Sequence, residues 1–149
     1  MTAADGTPAE AGLVGELRAS AAWRPELSLV AAGADGAVIG HVVCSQARLG
    51  EAAVLGLGPL SVDPAHQGRG VGSALVHAVL GAADALGEPL VVLLGDPGYY
   101  ARFGFAAART RAIAPPVAEW EPYFQVRTLA AYQPSLTGTF RYAEPFDRA

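Results

Sequence analysis

An apolar segment leads directly into a glycine-rich turn in residues 60–73, which read Leu60-Ser61-Val62-Asp63-Pro64-Ala65-His66-Gln67-Gly68-Arg69-Gly70-Val71-Gly72-Ser73. The residues before the turn, 53–62, are apolar enough for a buried strand. After the turn, apolar residues recur every three or four positions, as on one buried face of a helix: Leu75, Val79, Ala82 and Leu86. The turn therefore joins the end of a strand to the start of the most regular helix of the chain.

A turn of this kind favours an anion-binding site. Three of its five central positions are glycine, at Gly68, Gly70 and Gly72. Unpaired N–H groups at a helix N-terminus point outward, the helix dipole adds partial positive charge, and glycine lets a phosphate approach the backbone. Glycines that serve only to turn the chain are the alternative, but the neighbouring Gln67 and Arg69 favour anion binding, with Arg69 adding positive charge at the rim.

Two common phosphate-binding motifs are excluded. The chain has no Lys, since all ten basic residues are Arg, so neither a P-loop lysine nor a Schiff-base lysine is present. The dinucleotide fingerprint G-x-G-x-x-G/A is incomplete, because Ser73 takes its last position when counted from Gly68 and Leu75 when counted from Gly70. The pattern that remains is Gln67-x-x-Gly70-x-Gly72.

Composition predicts one domain spanning residues 1–149, with a sizeable core, because 52% of the residues are hydrophobic and only 16% are charged. The formal charge of -4 argues against nucleic acid or an anionic membrane as a partner. No apolar run approaches the roughly 20 residues of a spanning helix, and no leader pattern opens the chain, so we expect a cytoplasmic protein. One cysteine and three histidines provide no zinc pattern, and no metal site is predicted.

The periodicity of the remaining chain predicts a mixed α/β domain. Helices are expected over residues 9–22 and 74–86, with one or two helical turns over 99–103. Strands are expected over seven segments: 27–32, 38–44, 53–62, 90–94, 105–108, 123–129 and 137–142.

Two motifs together resemble those of the GCN5-related N-acetyltransferase (GNAT) family. The first is the acyl-CoA motif Q/R-x-x-G-x-G/A, matched by Gln67-Gly68-Arg69-Gly70-Val71-Gly72. The second is an aromatic-Tyr-x-x-x-Gly-Phe stretch after a strand, matched by Tyr99-Tyr100-Ala101-Arg102-Phe103-Gly104-Phe105 after residues 90–94. The resemblance is strong over about residues 26–108.

The resemblance implies an α/β (α+β) fold, with a mixed, mostly antiparallel central sheet, helices on both faces, and a V-shaped splay between two central strands. The pantetheine arm of acetyl-CoA would enter that splay like an extra strand and bond to the backbone around Leu60, Ser61 and Val62. The pyrophosphate would rest on the turn and the first helical turn: Gln67, Gly68, Arg69, Gly70, Val71, Gly72 and Ser73.

The implied activity is an acetyl-CoA-dependent N-acyltransferase that moves the acetyl group to a primary amine of a small molecule or peptide, by direct attack in a ternary complex. Tyr100 occupies the position of the family's general acid and would protonate the departing CoA thiolate. Backbone N–H groups near Leu60 would stabilise the developing oxyanion. A purely structural aromatic role is the alternative for Tyr99 or Tyr100. Cys44 is expected to be a small buried residue rather than a nucleophile.

Three departures from the family pattern bear on the chemistry. The strand before the turn has no carboxylate between Ala52 and Val62, and the chain has no Asn, so the general base is unassigned. Too little chain precedes Ala9 for the family's usual first strand and first helix, so either the fold tolerates the loss or the start has been trimmed. We then expect the substrate side to be more open, or completed by a second copy in a homodimer. These departures keep a non-catalytic acyl-CoA-binding or regulatory module open as an alternative. A nucleotide-binding switch is disfavoured because no Mg²⁺ pattern accompanies the glycines.

Acceptor specificity is expected in the C-terminal strands of residues 109–149. An acidic and aromatic cluster there suits a cationic amine, with a solvated loop as the equally plausible alternative: Glu119, Trp120, Glu121 and Tyr123.

Overall fold

A computed structural model describes residues 23–142 of the chain. Two α-helices are present in that range, α1 (Val71–Ala85) and α2 (Pro97–Tyr100). The strands are β1 (Ser28–Ala32), β2 (Val38–Leu49), β3 (Ala52–Val62), β4 (Leu90–Leu94), β5 (Ala106–Ala107), β6 (Ile113–Ala114), β7 (Phe124–Thr128) and β8 (Gly138–Arg141). Short 3-10 turns lie at Pro25–Leu27, Pro64–His66, Ala101–Phe103, Ala108–Arg111 and Ala118–Tyr123.

The strands form one mixed sheet in the order β5-β7-β4-β3-β2-β8-β6, with β1 paired to β2. The β1–β2, β2–β3, β2–β8, β4–β7 and β5–β7 pairs are antiparallel, whereas β3–β4 and β6–β8 are parallel. The expectation of a mixed, mostly antiparallel sheet is therefore confirmed.

The sheet opens between β3 and β4. These two strands pair only at Leu55 with Val91 and at Gly56 with Val92. Beyond that point β3 continues along β2 to Val62, while β4 stays paired with β7 to Leu94. The register between β2 and β3 shifts opposite Val42–Cys44, which inserts an extra residue into β3 at Gly58–Pro59. The predicted V-shaped splay is confirmed, and the edge of β3 that faces β4 is left unpaired there.

Helix α1 packs on one face of the sheet. Alternate residues of a strand point to opposite faces, so Val91 and Leu93 of β4 join α1 in one buried cluster, while Leu90 and Val92 join a second cluster. Phe103, after α2, lies in the α1 cluster, and the second cluster is built around Phe124 and Phe140. Both described helices thus lie on the same face. The helix predicted over residues 9–22 falls outside the described residues.

The structure moves several predicted boundaries. Strand β2 runs five residues beyond the predicted Cys44, to Leu49, and α1 begins at Val71 rather than Ala74. The strand predicted over 105–108 is only two residues long, because the chain turns into a 3-10 turn at Ala108. Strand β6 and the 3-10 turn at Ala118–Tyr123 were not predicted. None of the helices in residues 23–142 is long and apolar enough to cross a membrane.

Close packing of α1 on β2 requires a glycine at position 40. A Cβ built on Gly40 would lie 3.0 Å from both Leu75 Cδ1 and Val71 Cγ1. We expect Gly40→Val to lower the free energy of unfolding by about 1–3 kcal/mol, because the extra methyl groups must push α1 away. Urea unfolding measures this change. Gly81→Ala on the exposed side of α1 is the control, and it should stabilise the chain by about 0.5–1 kcal/mol; equal effects of the two substitutions would refute the packing argument.

Candidate functional site

A groove of about 290 Å³ lies between the end of β3 and the start of α1. Its walls include six of the residues predicted to bind the cofactor, together with two others that the sequence did not assign to it: Leu60, Ser61, Val62, Gln67, Gly68 and Gly72, with His66 and Tyr99. The remaining predicted residues belong to the same turn and helix start: Arg69, Gly70, Val71 and Ser73. Their backbone N–H groups are the donors to consider for anion binding.

The N-terminus of α1 has no side-chain cap. The first helical hydrogen bond runs from the N–H of Ala74 to the carbonyl oxygen of Gly70 at 2.9 Å, so the N–H groups of residues 71–73 lie outside the helical ladder. The N-cap is Gly70, with φ of +84°, and it has no side chain that could accept from these donors. The helix therefore presents several unpaired donors and its positive dipole end at one place.

The turn is tied back to the strand that precedes it. Gln67 donates through Nε2 to the carbonyl oxygen of Val62 at 3.1 Å. Asp63 accepts from the N–H of Ala65 at 3.3 Å, and its Oδ2 lies 3.3 Å from Nδ1 of His66. The N–H of Gln67 itself points to the carbonyl oxygen of Pro64 at 3.4 Å. The Gln67 side chain thus holds the turn in place, and the donors available to an anion begin after it.

Tyr99 forms the aromatic wall of the groove. A Cβ built on Gly72 would lie 3.5 Å from the Tyr99 hydroxyl oxygen, so the absence of a side chain at position 72 keeps the groove open beside the ring. Arg102 lies over the Tyr99 ring, with its guanidinium carbon 4.5 Å from the ring centroid. Its Nε donates to the Tyr99 carbonyl oxygen at 2.9 Å. The family motif selected Tyr100 for the chemical role, whereas the tyrosine that lines this groove is Tyr99.

Tyr100 lies behind Tyr99, against the end of β4. Its ring meets the Tyr99 ring edge-on at 4.9 Å, and a Cβ built on Gly95 would lie only 2.7 Å from Tyr100 Cε2. The side chain is half-buried, and desolvation, with a smaller contribution from Tyr99, raises the pKa of the Tyr100 hydroxyl above its ordinary value. A tyrosine hydroxyl is already protonated at neutral pH, and the direction of this shift preserves that state, which a proton donor needs.

Other predicted residues fall into structural roles. Val71 packs its side chain beneath Gly40, and Arg69 is exposed at the rim. Asp96 caps α2 by accepting from the N–H of Gly98 at 2.9 Å. Cys44 is fully buried, as predicted. Within residues 23–142 no three His, Cys, Asp or Glu side chains come together as metal ligands.

The cluster considered for the acceptor lies beside the open end of β4. The 3-10 turn Ala118–Tyr123 leads into β7, and its Tyr123 carbonyl oxygen accepts from the N–H of Gly95 at 2.9 Å. Gln125 donates through Nε2 to the carbonyl oxygen of Gly95 at 3.0 Å. These bonds fix the turn next to the position where β4 ends.

A family model described as the acetyltransferase (GNAT) family matches residues 4–105, which include β3, the glycine-rich turn, α1 and both tyrosines. The chain belongs to the GNAT acetyltransferase family. It is 38% identical over 143 residues to the protein named "Uncharacterized N-acetyltransferase YhbS" of Escherichia coli, with 94% of this chain and 84% of that protein covered.

Two solved structures share the fold. A GNAT family N-acetyltransferase (YhbS) from Escherichia coli in complex with CoA superposes with a TM-score of 0.87 at 35% identity, covering 96% of this chain and 80% of the other. A GNAT family acetyltransferase from Brucella melitensis in complex with acetyl-CoA superposes with a TM-score of 0.74 at 38% identity, covering 93% and 78%.

Burial makes Cys44 unsuited to nucleophilic chemistry. Desolvation, with a smaller contribution from Glu88, raises the pKa of its thiol to about 12. Because a raised pKa depletes the thiolate at every pH below it, we expect no reaction of the native protein with an aromatic disulfide reagent at pH 8. Full labelling of one thiol should appear after unfolding in urea, which serves as the control. Rapid labelling of the native protein would contradict this assignment.

Proposed function

We propose that the protein is an acetyl-CoA-dependent N-acetyltransferase that moves the acetyl group directly to a primary amine of a small molecule or peptide. The observation that carries the proposal is the meeting of two features in one groove, the unpaired edge of β3 and the uncapped start of α1. Membership of the GNAT family and the CoA and acetyl-CoA complexes of two relatives support the choice of cosubstrate.

The pantetheine arm fits the open edge of β3. An edge strand presents backbone donors and acceptors that an extended ligand can pair with, and the edge beyond Gly56 has no partner strand on the β4 side. Leu60, Ser61 and Val62 line the groove at this edge. We assign the backbone hydrogen bonds of the arm to these three residues.

The pyrophosphate fits the turn and the first turn of α1. The N–H groups of residues 68–73 converge on a helix start whose dipole favours negative charge. Gly72 leaves room between the backbone and Tyr99, and the exposed Arg69 adds positive charge at the rim. A chain with a formal charge of -4 binds a polyanion here through local donors rather than through its overall charge.

The transfer itself requires one bond to form and one to break. The neutral amine nitrogen attacks the thioester carbonyl carbon, the C–N bond forms, and the C–S bond breaks with its electron pair on sulfur. Tyr100 donates its hydroxyl proton to that sulfur, and backbone N–H groups near Leu60 stabilise the charge that develops on the carbonyl oxygen. The amine loses its proton to water, because β3 carries no carboxylate, and solvent returns a proton to Tyr100.

The acceptor approaches from the C-terminal segment, residues 109–149. The 3-10 turn Ala118–Tyr123, which carries Glu119, Trp120 and Glu121, lies beside the end of β4 through its bonds to Gly95. Carboxylates and an aromatic ring at that position favour a cationic amine over a neutral one.

Binding is tested by isothermal titration with acetyl-CoA, with ATP and NADH as controls. We expect acetyl-CoA alone to bind in the micromolar range and Gly70→Glu to abolish that binding, because a carboxylate and added bulk enter the pyrophosphate position. Gly36→Glu is a matched control, since Gly36 and Gly70 both have φ of +84° and open space around the Cβ position. The control should bind normally. Unchanged affinity in Gly70→Glu would remove the groove as the cofactor site.

Turnover is tested by release of free CoA in a screen of primary amines. Binding without release from any amine would favour the non-catalytic acyl-CoA-binding module over the enzyme.

The two neighbouring tyrosines have separable roles. We expect Tyr100→Phe to lower kcat by about 100-fold or more while leaving acetyl-CoA affinity nearly unchanged, because only the proton donor is lost. Tyr99→Phe should instead leave kcat near the parent value and raise the KM for acetyl-CoA a few-fold, because Tyr99 lines the groove. Steady-state kinetics of both variants measure this difference. The reverse pattern would transfer the donor role to Tyr99.

A further inference from the structure

A second cavity, larger than the groove, lies on the other side of Tyr99. Its volume is about 520 Å³, and it is enclosed by the C-terminal half of α1, the residues after α2, and the end of β7. Leu80, Phe103 and Leu129 provide apolar lining, and they are all buried in the core behind the cavity. None of the residues predicted to bind the cofactor lines this cavity.

The polar lining of this cavity is mainly cationic. Arg102, Arg127 and His77 contribute nitrogen donors, and Asp84 is the carboxylate on the wall. Asp84 Oδ1 already accepts from the N–H of Ala130 at 3.0 Å. In the part of the chain that the structure describes, no carboxylate lies within 4.0 Å of either guanidinium group, since the ion pairs there involve Arg24 and His66. Two arginines therefore share one cavity without a counter-ion from the described residues.

Arg127 is held in place by its backbone neighbours. Nη1 donates to the Thr128 carbonyl oxygen at 2.9 Å, while the buried Nε makes no hydrogen bond among the described residues. The Arg127 side chain packs against Gly104, where a Cβ would approach Nε to 2.8 Å. A buried donor without a hydrogen-bond partner lowers the stability of the fold. Gly104, with φ of +86°, thus leaves the space in which the Arg127 side chain lines the cavity, although its unpaired Nε lowers stability.

We propose that this cavity is a second binding site, which takes a small organic anion with a carboxylate or phosphate group. The anionic group lies between Arg102 and Arg127, and the apolar part lies against Leu80, Phe103 and Leu129. Guanidinium groups match the geometry of carboxylate and phosphate oxygens, and hydrogen bonds between charged groups are stronger than neutral ones. The bound anion supplies the counter-ion that the described residues do not provide for these two arginines.

The site is connected to the groove through one side chain. Arg102 lines the cavity and also covers the Tyr99 ring, and Tyr99 is a wall of the groove. An anion that draws the Arg102 guanidinium toward Arg127 changes its contact with Tyr99. Binding in the cavity and binding in the groove therefore affect each other, and the effect is reciprocal.

The test uses two-dimensional amide NMR, because it separates the two sites by residue. Inorganic phosphate is titrated against the full chain, with sodium chloride at equal ionic strength as the reference. We expect saturable shifts at His77, Gly81 and Gly104, distinct from any shifts at residues 68–73. Phenyl phosphate should bind about ten-fold more tightly than inorganic phosphate, because its ring buries apolar surface in the cavity.

Variants of Arg102 and Arg127 test whether these side chains bind the phosphate in the cavity. Arg127→Gln and Arg102→Gln should each weaken phosphate binding at the cavity amides about ten-fold or more, while Arg109→Gln, on an exposed 3-10 turn, should not. Arg102 is exposed, so its replacement tests the proposal even if the Arg127 variant folds poorly. The proposal is overturned by an absence of saturable shifts at the cavity, or by shifts that both variants retain.

The phosphate titration is repeated with protein saturated with CoA or with dephospho-CoA, to identify the source of the anion. Phosphate binding that persists when the protein is saturated with CoA identifies a separate small molecule. Binding that persists with dephospho-CoA but is lost with CoA identifies the 3′-phosphate of CoA as the anionic group. The first result supports a second site, whereas the second makes the cavity part of the cofactor site and overturns the proposal of a separate one. A failure of CoA to bind at all would refute the proposed function and leave the titration of the cavity intact.

Discussion

The early end of pairing between β3 and β4 is the constraint on which the rest of the site depends. These strands share two residue pairs, at Leu55 with Val91 and Gly56 with Val92, and then separate. Each strand keeps its other neighbour, β2 for β3 and β7 for β4, so the sheet opens without losing the strands themselves. A backbone edge inside a sheet is normally satisfied by a partner strand. Here the unpaired length of β3 ends at the turn that starts α1, so the positions proposed for the pantetheine arm and the pyrophosphate are continuous.

The glycine-rich turn before α1 leaves the N–H groups at the start of the helix available to a ligand. Every helix leaves N–H groups unpaired at its N-terminus, and most helices satisfy some of them with a Ser, Thr, Asp or Asn side chain at the N-cap. Gly70 occupies that position here, in a left-handed conformation, and it offers no side-chain acceptor. The turn is instead held by Gln67, which bonds to Val62 from outside the helix. Rigidity and open donors are thus supplied by different residues.

The sequence predicted the strand, turn and helix around residue 70 and the main strands of the sheet, because periodicity and glycine spacing report local geometry directly. The motif assigned the chemical role to Tyr100, but it could not show that Tyr99 lines the groove, since adjacent residues in a short helix point in directions set by packing. The contact of Tyr100 with Gly95 and the closeness of Tyr99 to Gly72 are tertiary features. The same reason explains β6: two residues, Ile113 and Ala114, become a strand only because β8 lies beside them. The cavity near Arg127 likewise depends on three segments far apart in the chain.

Tyr99 lines the groove and Arg102 lines the cavity, and the two side chains are in contact because of their spacing as well as their chemistry. Residues three apart in a helical turn lie on the same side, so Arg102 can stack on the Tyr99 ring and bond to the Tyr99 carbonyl oxygen at the same time. The guanidinium carbon lies 4.5 Å from the ring centroid, and the same side chain lines the second cavity. A lysine at this position has one compact charge and cannot make all three contacts, since it lacks a planar group. The contact between Tyr99 and Arg102 therefore borders both the groove and the cavity, and the proposed coupling between the two sites depends on it.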